Sequence, residues 1–196
     1  MKEVLGELSK KGYVIFDDVF HYLFVSEIDF NSDLMNWTYS NSSNHIGFPS
    51  SEKNATKFWG SMLYEVGDKN SVFNECPKQI YTIYEFFCKI IFKEEIFLKM
   101  IQTNGQTIYQ DGNIHRDDHV SPLTLMYFVN SNWEPSWGGE FQIMESQDNN
   151  SKVKVNIEFK PGRVVLFDAT LPHRGLAPSV PNVFRKTIAF RLGKLN

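Results

Sequence analysis

The sequence predicts a mainly β protein in which helices pack outside a C-terminal β-barrel or sandwich core. The first observation behind this is a change of character beyond Phe97. Short β-branched and aromatic runs recur at 100–109, 123–129, 140–144, 152–159, 163–167 and 187–192. Asp111-Gly112, Trp137-Gly138-Gly139, Asp148-Asn149-Asn150, Pro161-Gly162 and Pro172 punctuate them, as expected of an all-β architecture. The second is that helical spacing is confined to the N-terminal half. The third is that 196 residues with 17 Phe, 8 Tyr and 4 Trp supply enough apolar area for one core. No repeat, low-complexity tract or linker divides the chain, so a single domain over 1–196 is expected, with residues 1–97 buttressing a core at 98–193.

Taken in order, Val4, Leu5 and Leu8 fall at helical spacing within 2–11, and Gly12 then separates them from the β-rich run Tyr13-Val14-Ile15-Phe16. Residues 21–37 are mixed and helical in part, 38–56 are rich in Ser and Asn and read as loop, and 57–64 read as a short strand. From 72 to about 92, Ile80, Ile83, Tyr84, Phe87, Cys88 and Ile91 keep the three-to-four spacing of an amphipathic helix, the main one expected.

Composition excludes several classes of function. A formal charge of −3 and a pI near 6.0 give no electrostatic footprint for a phosphate backbone, so nucleic acid is not an expected partner. Cys76 and Cys88 make neither a disulfide framework nor a C-x-x-C pair. Residues 80–92 form the longest apolar segment, but Glu85 and Lys89 break it well short of the roughly 18–20 residues a membrane span needs. The first sixteen residues carry charges where a signal peptide would be apolar. A soluble, cytoplasmic protein with no membrane partner is the expectation.

The chemistry concentrates in Tyr109-Gln110-Asp111-Gly112-Asn113-Ile114-His115-Arg116-Asp117. His115 and Asp117 are two apart, so on an extended segment both leave the same face, as neighbouring ligands of one metal must. Composition alone produces such a pair in about one sequence in four of this make-up, so a third ligand is needed. His173, after the apolar strand that begins at Pro161-Gly162-Arg163, is the candidate. Two imidazoles and a carboxylate on one face of an octahedral ion leave open positions, as in non-haem Fe(II) oxygenases, whereas zinc would favour a fourth protein ligand. Arg185 opens the last β-run. If Arg185, Thr187, Ala189 and Arg191 share one face, its guanidinium points inward and calls for a carboxylate, which it can bind through two parallel bonds.

Those residues, in that order, resemble the 2-oxoglutarate and Fe(II)-dependent dioxygenases, and within them the prolyl 4-hydroxylase-like group. Tyr109-x-x-Gly112, Leu125-Met126-Tyr127-Phe128-Val129-Asn130, Trp137-Gly138-Gly139-Glu140-Phe141 and Pro161-Gly162-Arg163-Val164-Val165-Leu166-Phe167 complete the likeness over residues 98–193. The resemblance implies a double-stranded β-helix, the cupin-like jelly roll, with Fe(II) on His115, Asp117 and His173. It also implies 2-oxoglutarate on Arg185, O₂ as oxidant, ascorbate as an optional reductant, and Tyr109 lining the cosubstrate pocket. Where some relatives place a second tyrosine on the cosubstrate carboxylate, this sequence has Phe128, with Tyr127 one position earlier. That bond is left to Thr124, Tyr109, Tyr127 or water.

The implied activity is hydroxylation of an unactivated C–H. A prolyl residue of a peptide or protein is the first reading, and a free amino acid or small metabolite the alternative, with the loops at 38–56 and 145–151 setting the choice. A catalytically silent jelly-roll binding module is the rival from another class. Asp168 is either an orienting partner of His173 or a turn residue. His119 is a rim residue or a rival ligand, Trp137 a substrate wall or packing, and Arg191 a second anion contact or a paired surface residue.

Overall fold

The computed structural model describes residues 2–42, 56–67, 71–93, 96–117 and 121–194. Helix α1 (Lys2–Lys11) leads into β1 (Tyr13–Phe16) through Gly12, whose φ of +82° only glycine adopts without strain. Helix α2 (Tyr22–Asp33) follows, then β2 (Thr38–Ser42), β3 (Lys57–Val66), β4 (Val72–Asn74) and α3 (Lys78–Phe86). The rest is β5 (Ile96–Gln106), β6 (Leu123–Phe128), β7 (Phe141–Met144), β8 (Val153–Ile157), β9 (Val164–Asp168), β10 (His173–Gly175) and β11 (Arg185–Lys194). Among the described residues, no helix is long and apolar enough to cross a membrane.

The strands form two antiparallel sheets. The larger runs β1-β9-β6-β11-β5-β3-β2, with β4 on β3, and the smaller runs β10-β7-β8. The apolar runs of the central strands are buried on both faces, and period-two alternation sorts them. Val164 and Leu166 of β9, Leu125 and Tyr127 of β6, and Ile188, Phe190 and Leu192 of β11 meet Ile28 of α2 and Ile80 and Ile83 of α3. Their neighbours Val165, Phe167, Met126 and Phe128 turn the other way and pack on Phe141, Ile143 and Ile157 of the small sheet. One end of this second layer is left hollow, and the candidate site lies there.

The chain departs from its sequence reading between 72 and 92. The expected single helix is a short edge strand, β4, then α3, then a π-helical segment Phe87–Phe92. Pro77 accounts for the late start, because its ring cannot sit inside a helix and its φ suits the residue just before one. The wider turn of the π segment puts Phe87 and Phe92, five apart, on the same side, with ring centroids 6.2 Å apart and both buried. Residues 38–42 are β-structured rather than loop, and 43–55 lie outside the described residues.

Arg185 is anchored from behind. Lys186, its side chain 4% exposed, faces α2 and binds Asp29 at 2.5 Å and Asp33, while its backbone N–H donates to Asn130 Oδ1 at 2.7 Å. The preceding Phe184 stacks edge-on to Trp37 at 5.0 Å and covers Gly105 of β5. A Cβ at Gly105 would stand 2.2 Å from the Phe184 ring and 2.8 Å from Trp37. Gly105→Ala is therefore expected to destabilise the protein by about 1–3 kcal/mol, read as a lower urea midpoint at unchanged m.

Candidate metal centre

The strand pair that builds the centre is minimal. His115 and His173 exchange both backbone hydrogen bonds, N–H to O at 3.0 and 2.9 Å, as an isolated antiparallel bridge beside β10. Directly opposed residues project side chains to the same face, so the imidazoles stand side by side with centroids 4.3 Å apart. Two further bonds extend the pairing on either side, Gly112 N–H to Gly175 O and Asp117 N–H to Ala169 O, each 2.8 Å. Asp117, two along from His115, joins the same face, and one ligand atom from each of the three lies within 4.8 Å of the others.

Hydrogen bonding fixes which nitrogen faces inward. His115 Nδ1 lies 2.9 Å from Asn113 O and His173 Nδ1 2.8 Å from Leu171 O. A carbonyl only accepts, so Nδ1 carries the proton in both rings and Nε2 is the basic nitrogen. Those Nε2 atoms lie 3.5 and 3.4 Å from Asp117 Oδ1. The His173 contact is not an ion pair, because burial pushes His173 down to about 4, against the opposing pull of the Leu171 carbonyl, and leaves it neutral at pH 7.

Asp117 is 6% exposed and its two oxygens have different fates. Oδ2 accepts from Thr124 Oγ1 at 2.7 Å and pairs with Arg191 Nη1, which also donates to Thr124 Oγ1 at 2.9 Å. Oδ1, turned to the imidazoles, has no hydrogen-bond donor among the described residues. A buried carboxylate oxygen facing two basic nitrogens is an unmet electrostatic demand, and a divalent cation between them meets it. The donor set of two imidazoles and one carboxylate suits iron better than a closed zinc site. No further His, Cys, Asp or Glu joins the group among the described residues.

The three ligands line a cavity of about 390 Å³ that Arg185 also lines. Arg185 is 1% exposed; its Nε donates to Gly139 O and its Nη1 to Gln106 Oε1, both at 2.8 Å, and its Nη2 is buried without a partner among the described residues. Burial lowers its pKa to about 10, with Glu140 and Asp111 opposing, so it remains a cation at neutral pH. A fixed guanidinium with one unfilled donor position is ready for a carboxylate. The faces of Phe128 and Phe159 flank it at 5.8 and 5.3 Å.

The structure brings His115, Asp117, His173, Arg185, Thr124 and Arg191 to one cavity and places the other expected residues elsewhere. Thr124 lines the cavity and gives its hydroxyl proton to Asp117. Tyr109 is corrected outright: it is 88% exposed, at φ +69° on the turn after β5, and does not line the cavity. Tyr127 is corrected too, since strand parity sends it to the helix side, where it meets Phe20 at 6.0 Å. Asp168 is a turn residue whose Oδ1 accepts from Thr170 N–H and Oγ1 at 2.8 and 2.6 Å. Trp137 packs on Trp133 at 5.5 Å, away from the cavity, and His119 lies outside the described residues. Sequence reasoning missed Gln106, the partner of Arg185, together with Gln102 and Asn104 on the same cavity face. Their signal was the period-two polar series Gln102, Asn104, Gln106 inside a β-run.

A jelly roll that converges His-x-Asp, a distal His and a buried Arg on one cavity defines the class of Fe(II) and 2-oxoglutarate oxygenases. Residues 101–190, a little under half of the chain, match the family model of the 2OG-Fe(II) oxygenase superfamily. No curated protein sequence matches the chain. Among solved structures, it is similar to a prolyl hydroxylase from Trichoplax adhaerens in complex with a hypoxia inducible factor oxygen degradation domain peptide fragment, at 16% identity and TM-score 0.67 over 97% of this chain and 87% of that one. An oxidoreductase of the 2OG-Fe(II) oxygenase family from Burkholderia pseudomallei gives 13% and 0.67 over 99% and 91%, and a prolyl-4-hydroxylase from Pseudomonas putida 12% and 0.61 over 99% and 98%. These likenesses establish the fold as the double-stranded β-helix of that class.

The depressed pKa of His173 has a measurable consequence in chelator. The unfolded chain takes up a proton near pH 6.5 and the folded one only near 4. The stabilising contribution is therefore present above about 6.5 and is lost as pH falls through that window. Between pH 6.5 and 5 the loss is about 2 kcal/mol at 1.36 kcal/mol per unit. Urea unfolding in EDTA should show it in wild type and a flatter slope in His173→Asn.

Proposed function

We infer that His115, Asp117 and His173 hold Fe(II), that Arg185 binds the far carboxylate of 2-oxoglutarate, and that the protein hydroxylates an unactivated C–H. The observation that carries this is the orphaned Asp117 Oδ1 between two Nε2 atoms, in one cavity with the orphaned Nη2 of Arg185. When bound, Fe(II) with O₂ and 2-oxoglutarate supplies the oxidising power: one oxygen atom enters the substrate C–H and the other leaves in succinate, with release of CO₂.

The chain's own share is binding, orientation and exclusion of water. Asn113 and Leu171 hold the two imidazoles in the tautomer that offers Nε2. Thr124 and Arg191 hold Asp117 by Oδ2 and leave Oδ1 for the metal. Gln106 and Gly139 fix the guanidinium before the cosubstrate arrives, so its carboxylate meets a donor already oriented. Phe141 and Met126 give the cavity apolar wall.

For the substrate, the likeness to prolyl hydroxylases, one of them holding a peptide fragment, supports a prolyl residue of a peptide or protein. A free amino acid or small metabolite is the second reading, favoured by the modest cavity volume, which must hold the cosubstrate as well. A reducing, cytoplasmic setting fits the two thiols, both free.

Anaerobic titration with Fe(II) and 2-oxoglutarate, followed by visible charge-transfer absorption, tests the assignment, with succinate release measured on admitting air. Wild type should show both signals and His173→Ala neither; an absent signal in wild type, or an unchanged one in the variant, refutes the reading. Arg185→Met should keep metal affinity but weaken 2-oxoglutarate by about 100-fold, near 2.7 kcal/mol for the lost charged bonds.

A further inference from the structure

Asp117 carries two restraints where one would fix it. Arg191 of β11 stands directly opposite Thr124 of β6, so their side chains share the cavity face, and Arg191 Nη1 donates to Thr124 Oγ1 at 2.9 Å. Thr124 Oγ1 in turn donates to Asp117 Oδ2 at 2.7 Å, and the same Nη1 pairs with that oxygen directly. The threonine hydroxyl is enough to stop the carboxylate from turning over. What the guanidinium adds is a positive charge, since arginine stays protonated at neutral pH.

That charge is sheltered and its place is fixed by the strands. The Arg191 side chain is 20% exposed and that of Asp117 1%, so water screens the pair only in part. The register of β11 on β5 shifts immediately after Arg191, from Met100 to Leu98, and irregularities of this kind re-aim side chains beside functional sites. Asp117 thus has one negative charge and two claimants, the guanidinium on Oδ2 and a metal on Oδ1. The imidazoles bind a metal only as neutral rings. With Arg191 counted, the ligand set offers the metal no net negative charge.

Such a set does not treat the two oxidation states of iron alike. Repulsion from a fixed cation grows with the charge of the ion, so Fe(III) is disfavoured more than Fe(II). A carboxylate polarised toward a guanidinium is also a poorer donor to the more highly charged ion. We propose that Arg191 is a positioning residue whose charge, acting through Asp117, keeps the bound iron ferrous between turnovers. The inference rests on the dioxygenase reading and adds to it a control on the same site. The process opposed is the transfer of one electron from Fe(II) to O₂, which leaves Fe(III) and superoxide when no substrate is present to be oxidised.

The test uses the full chain loaded with Fe(II) under anaerobic conditions, with binding first verified by calorimetry, and reads the Fe(III)/Fe(II) midpoint potential against redox mediators. Arg191→Gln should raise ferric over ferrous affinity at least tenfold, a potential lower by about 59 mV for one electron. On admitting air without substrate, it should also lose the ferrous form at least tenfold faster than wild type. Arg191→Lys keeps the charge, and Thr124→Val removes the hydroxyl but not the charge; both should stay within about threefold of wild type on the two readouts. Thermal melting establishes that each variant folds, and Arg191→Met replaces Arg191→Gln should the latter not. A clamp without an electrostatic role predicts weaker metal binding in Arg191→Gln and Thr124→Val alike, at unchanged potential. That outcome, or a potential that falls equally in the Lys and Gln variants, would overturn the proposal. Either result leaves the dioxygenase reading standing, whereas failure of the wild type to bind Fe(II) would sink that reading instead.

Discussion

Two backbone hydrogen bonds between His115 and His173 are the constraint on which the rest of the site depends. They join residues 58 positions apart in sequence and make their side chains share a face, which no rotamer choice could achieve alone. Everything else at the centre is arranged around that bridge. Asp117 reaches it by strand parity, Asn113 and Leu171 supply the carbonyls that set the tautomers, and Phe141 and Phe167 pack on the His173 ring at 5.4 and 4.8 Å. The small sheet, only three strands wide, gains its functional edge from a segment that is barely a strand.

Strand β11 couples that edge to the core. Its inward positions are Arg185, Thr187, Ala189 and Arg191, and its outward ones include Ile188 and Phe190, both fully buried under the helices. One strand therefore holds the buried Arg185 of the cavity, the arginine on Asp117, and part of the main apolar layer. Burying one guanidinium and half-burying another is costly unless each is bound and the strand is immobile. Lys186 supplies the second condition by tying the strand to α2 through Asp29 and Asp33. The helices thus act on the chemistry without touching it.

Much of this was legible in the sequence because it follows from parity and turn residues. The six C-terminal β-runs, the inward series on β11 and the pairing of His115 with Asp117 rest on a side-chain period of two, and His173 on its place after an apolar strand and a turn. Three things were not legible, each for a definite reason. The helix expected over 72–92 drew its helical spacing from Ile80 to Ile91, all beyond Pro77, so nothing in the spacing supported its first turns, and spacing cannot reveal a π turn that brings Phe87 and Phe92 together. Tyr109 was assigned by resemblance, but the chain turns away after Gln106, where Gln110 Oε1 binds Thr107 N–H at 2.7 Å, and the ring is carried into solvent. Thr124 was one of several candidates for the second cosubstrate bond, and sequence did not show that its hydroxyl binds the Asp117 carboxylate.

The division of labour at Asp117 explains why these residues are costly without a ligand and ordered nonetheless. Thr124 and Arg191 satisfy one carboxylate oxygen and lock the side chain, so the other oxygen cannot rotate away to find a donor. Arg185 is treated likewise, with two donors fixed by Gln106 and Gly139 and a third left over. Each unmet group is a destabilisation carried by the folded chain, sustained by the two apolar layers on either side of the large sheet. A bound cation and carboxylate relieve both at once. The energy that would have gone into ordering loose side chains is spent during folding, and binding is left with partners already aimed.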